Sequence, residues 1–165
     1  MKFSKYALST LSSTALGFLA LGLTPAAAFA TTATTTFTVN ATVVATCVVG
    51  TTTNMAFGNY TGAQFDTTAT LSAQCSNNAS YTVGLDKGTS VGASQAARFM
   101  TGAAGVFLNY TLYTDAARGT PWAAQTQTFT GNGNAQVVTV YGRVAGSQFV
   151  AAGSYNDLVT ATFTF

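Results

Sequence analysis

Residues 34–47 read Thr-Thr-Thr-Phe-Thr-Val-Asn-Ala-Thr-Val-Val-Ala-Thr-Cys, and this alternation constrains the fold more than any other stretch. Phe37, Val39, Ala41 and Val43 fall on one face of an extended chain, and Thr36, Thr38, Asn40 and Thr42 on the other. That is the period-two pattern of a half-buried strand. The run is too long for one ordinary strand: at roughly 3.3 Å per residue it spans about 46 Å, whereas strands seldom exceed about 10 residues. The expectation is that its first half serves something other than its own sheet.

Upstream, Lys2 and Lys5 precede an apolar core over residues 15–23, followed by Pro25 and the run Ala26-Ala27-Ala28-Phe29-Ala30. Basic start, apolar core and small-x-small end form the layout of a secretory signal peptide, residues 1–30, cleaved after Ala30, with Ala28 as the other site that fits. The apolar core is shorter than the roughly 20 residues a bilayer-spanning helix needs, and no later segment spans a membrane. Residues 31–165 then suit one domain.

Without the leader, Lys87, Arg98, Arg118 and Arg143 balance Asp66, Asp86, Asp115 and Asp157. No basic patch remains to hold nucleic acid. The chain has no His and no Glu, so general acid–base pairs and metal-ligand clusters are not available. Ser and Thr are plentiful, but a hydroxyl nucleophile needs a base beside it, and Lys87, within Leu85-Asp86-Lys87-Gly88, reads as a solvated turn residue. The expectation is no enzyme, no cofactor and no metal. Cys47 and Cys75 are the only cysteines, and in a secreted chain such a pair closes a disulfide.

Thr is abundant beside Phe and Tyr, residues that suit a pleated, half-covered surface, and long helical periodicity is absent. The fold class is therefore all-β, with candidate strands at 36–48, 54–58, 67–75, 80–86, 106–114, 126–130, 136–145 and 157–165, separated by Gly, Asn and Ser. Thr130-Gly131-Asn132-Gly133-Asn134 reads as a hairpin turn, which predicts antiparallel pairing of its flanking strands. Residues 88–105 read as a long loop with one short strand at 98–101. Trp122 is assigned to packing. Asn-x-Ser/Thr triplets, among them those at Asn40, Asn78 and Asn109, read as accidents of a Thr-rich chain.

The C-terminal run 153–165 repeats the opening pattern, with Val159, Ala161, Phe163 and Phe165 on one face. It predicts a last strand with no closing partner, and hence a groove and a row of unpaired backbone groups. The long amphipathic segment at the other end is of the kind that fills such a groove in a neighbour.

At this point the residues resemble a known family. Phe37-Thr38-Val39 leading to Cys47, Asn54-Met55-Ala56-Phe57-Gly58-Asn59-Tyr60, Cys75, Asn109-Tyr110-Thr111-Leu112-Tyr113, Val140-Tyr141-Gly142-Arg143-Val144, Gln148, and Gly153-x-Tyr155-x-Asp157 before an alternating strand together resemble the spore coat protein U domain. Its members include subunits of archaic chaperone-usher pili, and the chain looks like the major rod subunit of the Csu type of pilus. The resemblance implies an incomplete immunoglobulin-like β-sandwich completed by donor-strand exchange, with residues 31–43 as donor and 44–165 as pilin domain. It implies Phe37, Val39, Ala41 and Val43 as groove-filling side chains, and Val159, Ala161, Phe163 and Phe165 on the acceptor edge. The implied partners are identical subunits, a periplasmic chaperone, an outer-membrane usher and tip or minor subunits, at the cell surface and in biofilm formation. One domain rather than two points to the shaft rather than the tip. The alternatives are a self-contained secreted coat protein, or a carbohydrate-binding sandwich using Tyr110, Tyr113, Trp122 or Tyr141.

Overall fold

Strands form where alternating residues have a neighbour to pair with. The computed structural model describes residues 30–50 and 53–165, and it contains eight strands. They are β1 (Cys47–Val49), β2 (Phe65–Cys75), β3 (Ser80–Leu85), β4 (Arg98–Thr101), β5 (Phe107–Tyr113), β6 (Gln127–Thr130), β7 (Ala135–Val144) and β8 (Ala161–Thr164). A single 3-10 turn, Ala103–Gly105, joins β4 to β5. All pairings are antiparallel, and they build a five-stranded sheet, β1-β2-β7-β5-β4, and a three-stranded sheet, β6-β3-β8. Together they make the expected all-β, immunoglobulin-like sandwich. These strands belong to a unit spanning Ala41–Phe165, and residues 30–40 to a separate one.

The spine is the ladder between β2 and β7, which runs from Phe65↔Val144 to Gln74↔Ala135 without a break. Alternation sends Leu71, Ala73 and Cys75 of β2 and Val138, Val140 and Val144 of β7 into the core. Leu108, Tyr110 and Leu112 of β5 join them, and Tyr81, Val83 and Leu85 of β3 meet them from the other sheet. Trp122, 1% exposed, is part of this core, as expected. Gly142, on the inward face of β7, leaves the space that Met55 and Phe57 occupy; a Cβ there would collide with the Met55 sulfur. Outward positions carry hydroxyls, so that Thr128, Thr82 and Thr164 form a row across the three-stranded sheet.

The disulfide expected from composition joins Cys47 to Cys75. The two residues are directly opposed in the β1–β2 ladder. The lone strand expected at 98–101 is β4, on the edge of the five-stranded sheet.

Three expectations are corrected. The strand expected over 36–48 is limited to β1, because the ladder ends where Ser76 donates to the carbonyl of Thr46 and the chain beyond Cys75 turns toward the other sheet. Residues 30–46 have no regular secondary structure. Residues 54–58 form no strand either; they lie over the β7 inner face and contribute side chains rather than backbone pairs.

The turn at 130–134 does not close a hairpin, since β6 pairs with β3 while β7 pairs with β2 and β5. It carries the chain from one sheet to the other and is held against the opposite crossing. Gly131 donates to Ala79 and accepts from Asn78, and Gly133 donates to Cys75. The leader expected at 1–30 falls, apart from Ala30, outside the described residues. No helix among the described residues is long and apolar enough to cross a membrane.

A Cβ on Gly131 would collide with the Ser76 carbonyl oxygen and lie 2.8 Å from the Cys75 Cβ, neither of which can swing aside. Gly131→Ala is expected to lower stability by about 1–3 kcal/mol, the usual cost of overpacking. Gly119→Ala, whose Cβ meets nothing closer than 3.9 Å, should stay within about 0.5 kcal/mol of the parent. Urea unfolding midpoints of the two variants check this.

Candidate functional site

A strand satisfies its backbone only through neighbours, and β8 has one. It pairs with β3 through Thr82↔Thr164, Val83↔Phe163, Gly84↔Thr162 and Leu85↔Ala161, and closes the order of its sheet. Its other edge is open among the described residues. The sheet it belongs to has two strands fewer than the sheet it faces. At about 4.8 Å per strand this leaves a width of about 10 Å of the larger sheet without an opposing strand, part of it filled by Met55 and Phe57.

Of the four residues predicted to line the acceptor edge, Val159, Ala161 and Phe163 are half-buried and pack against the core. The Phe163 ring stacks on Tyr81, centroids 6.4 Å apart, and Tyr81 stacks in turn on Phe129. Phe165, past the last pair, is 58% exposed. The side chains of Thr160, Thr162 and Thr164 point outward. The four residues predicted on the donor segment are all exposed, Phe37 at 85%, Val39 at 80% and Val43 at 88%, with Ala41 between them.

What holds an edge strand with one neighbour is a polar cluster at its leading end. Asp157 accepts from the Tyr110 hydroxyl at 2.6 Å, from the backbone N–H of Thr89 at 2.8 Å and from that of Leu158 at 2.9 Å. Asp86, at the end of β3, accepts from the N–H groups of Gly88 and Thr160, both at 2.9 Å. Gly88 has φ +83°, and a Cβ there would run into the Asp157 carboxylate. Between the sheets lies Arg98, 1% exposed. Its guanidinium donates to the carbonyls of Asp86 at 2.7 and 2.9 Å, Gln95 at 2.6 Å and Trp122 at 2.9 Å. A second tie pairs Thr101 of β4 with Asn156, and the ring of Tyr155 packs where Gly102 leaves room.

The electrostatics follow from this placement. Burial lowers the Arg98 pKa from its ordinary value, and the carboxylates of Asp86 and Asp157 partly offset that. Burial, then the neighbouring Asp157 carboxylate, pushes the Tyr110 hydroxyl far up, so it stays a donor. Burial pulls Asp86 upward, but the N–H groups of Thr160 and Gly88 outweigh it and its pKa is lowered.

Asp157 is far in sequence from Asp86 and Arg98, and setting the four Asp against the four basic residues as a charge balance does not show that they converge. The one available signal was an arginine standing alone in a run of small residues. The residues quoted for the resemblance gather in a second place as well. Tyr60 donates to the Ala145 carbonyl, and Gln148 pairs through its amide with both backbone groups of Asn109, extending the ladder beyond the end of β7.

The carbohydrate platform loses two of its four residues, because Tyr110 and Trp122 are buried. Tyr113 and Tyr141 face each other on the outer side of the large sheet. The Arg143 guanidinium covers the first ring at 5.9 Å and that of Arg118 covers the second at 5.7 Å.

A family described as the Spore Coat Protein U domain matches residues 33–162. Protein U of Myxococcus xanthus is 36% identical over 106 residues, 59% of this chain and 59% of that protein. Among solved structures, a chain of the CsuC–CsuE chaperone–tip adhesion subunit pre-assembly complex, from the archaic chaperone-usher Csu pili of Acinetobacter baumannii, is similar in fold. Its TM-score is 0.55 at 24% identity, over 75% of this chain and 40% of that one. The chain thus spans about three fifths and two fifths of these two relatives.

Asp66, Asp86 and Asp115 all have lowered pKa values: Asp66 from its hydrogen bonds with Arg143, Asp86 from the N–H groups above, and Asp115 from those of Gly119 and Thr120. A carboxylate with a depressed folded-state pKa contributes stability that is complete above its unfolded value, about 3.9, and is lost as pH falls through the folded value. With no His or Glu in the chain, the urea midpoint is expected to be flat from about pH 5 to 9 and to fall only below about pH 4.

Proposed function

The chain belongs to the Spore Coat Protein U domain family, and from that premise we propose that it is a structural, non-enzymatic shaft subunit of a chaperone-usher pilus, polymerised by donor-strand complementation. The observation that carries this reading is the pairing of two incomplete features. One is an edge strand, β8, with a half-buried apolar face and an open side. The other is an alternating segment, residues 31–43, whose apolar side chains are exposed. Each supplies what the other lacks.

In this reading Phe37, Val39, Ala41 and Val43 of one subunit enter the groove beside Val159, Ala161 and Phe163 of the next. Their backbone pairs with the free edge of β8, a case of strand addition. Burying Phe37, Val39 and Val43 contributes about 1.5–3 kcal/mol each. A periplasmic chaperone lends a strand first, and an outer-membrane usher exchanges it for the neighbour's segment. Tip or minor subunits complete a surface polymer that supports attachment and biofilm formation. The leader at 1–30 routes the chain through the periplasm, and Cys47–Cys75 forms in that oxidising compartment.

A self-contained coat protein would instead fold residues 31–43 onto its own β8. Native size distributions of the secreted chain and of a version lacking residues 31–43 separate the two. The expected result is heat-labile ladders from the full chain, none from the truncated one, and uptake of one synthetic 31–43 peptide by each truncated molecule. A full chain that stays monomeric, with a truncated one that merely unfolds, overturns the polymer reading. Phe37→Asp is expected to reduce ladder formation at least about tenfold, since it places a charge where an apolar contact is required.

A further inference from the structure

The strand that offers the open edge is short and has one neighbour among the described residues. Such strands fray, because few contacts offset the entropy of ordering them. An edge that frays is a poor template for an incoming strand, which would have to order both partners at once. In this molecule, however, the residues leading into β8 are gripped from several elements. Asp157 is held by Tyr110 of β5 and by Thr89 after β3, and the N–H of Thr160 by the carboxylate of Asp86. Arg98 of β4 donates to the carbonyls of Leu85 and Asp86 and so fixes the end of β3 beside which β8 begins.

We propose that Tyr110, Asp157, Arg98 and Asp86 are positioning residues for strand addition, locking the start of β8 so that its free edge is already ordered when a second copy's segment arrives. The proposal rests on reading β8 as the accepting edge. None of the four lies on the free edge, and each acts through β8. The lock ties β8 to both sheets. Tyr110 and Arg98 belong to the five-stranded sheet and Asp86 to the end of β3, so the edge strand keeps its position relative to the core as well as to its single neighbour. The Asp86 carbonyl that Arg98 grips belongs to the residue whose carboxylate holds the N–H of Thr160, so one residue links the guanidinium to the start of β8.

The test uses the chain without residues 31–43, whose β8 edge no neighbour's segment fills and whose strands all lie in the unit Ala41–Phe165, and reads two quantities, amide hydrogen exchange strand by strand and uptake of the synthetic 31–43 peptide. Tyr110→Phe removes one hydroxyl and leaves the ring in the core. It is expected to speed exchange of the β8 amides about tenfold, the equivalent of one hydrogen bond to a charged group, with β2 and β7 unchanged, and to weaken peptide uptake by a similar factor. Thr89→Val, at an exposed position, removes the Thr89 hydroxyl, which donates to the Asp157 carboxylate at 3.2 Å, while keeping the backbone bond, and is expected to act in the same direction by about threefold, as loss of one weaker bond implies.

Unchanged β8 exchange in both variants overturns the lock. Equal acceleration of β2, β7 and β8 overturns it too, because the cluster is then a brace for the whole sandwich. If the truncated chain with no further substitution takes up no peptide while the exchange pattern is as expected, the strand-addition reading fails, and the proposed role fails with it.

Discussion

The uninterrupted ladder between β2 and β7 is the interaction on which the remainder depends. It brings two alternating faces together, so that one side of the pair is largely apolar, with Thr67 and Gln136 toward its two ends, and the other carries Thr, Tyr and the Asp66–Arg143 ion pair. Every other strand of the large sheet is placed by reference to it, β1 through β2 and β5 then β4 through β7. The smaller sheet has no comparable centre. Its middle strand, β3, supplies Tyr81, Val83 and Leu85 to the core, but β6 and β8 each contribute only four residues on either side.

This asymmetry explains why polar groups are concentrated at one end. A sheet of three short strands does not bury enough surface to hold its own edge. The deficit is met by a buried guanidinium and two carboxylates whose hydrogen-bonding capacity is largely taken up by backbone groups. A buried cation is tolerated only when it is so surrounded. Arg98 meets that condition through carbonyls, with the carboxylates close enough to balance its charge.

The alternation over 67–75, 80–86, 106–114 and 136–145 was sufficient to locate four strands within a residue or two, because each has a partner along its whole length. The same alternation over-extended the first strand. Period-two spacing says which residues share a face but not whether a neighbour is present, and above Thr46 there is none. Gly131, Asn132 and Gly133 link two strands as their spacing predicts, but those strands pair with β3 and β2 rather than with each other. The conformations that close a hairpin also serve an arch between sheets, and the choice depends on the crossing at Ser76–Ala79 that the turn packs against. The disulfide was legible from compartment and count alone. The cluster around Arg98 was not, since it joins residues from five separate segments, and nothing in local spacing links Asp86 to Asp157.

The position of the disulfide has a mechanical consequence. Residues 30–46 leave the sheet immediately ahead of Cys47, and β1 is held to β2 by only three residue pairs. A tensile load entering through that segment would otherwise peel β1 away one pair at a time. The bond from Cys47 to Cys75 passes the load directly to β2, where the long ladder to β7 shares it among many hydrogen bonds in parallel. The strand attachment with the fewest ladder pairs among the described residues is thus bypassed by a covalent bond at the point where pulling force would first reach it.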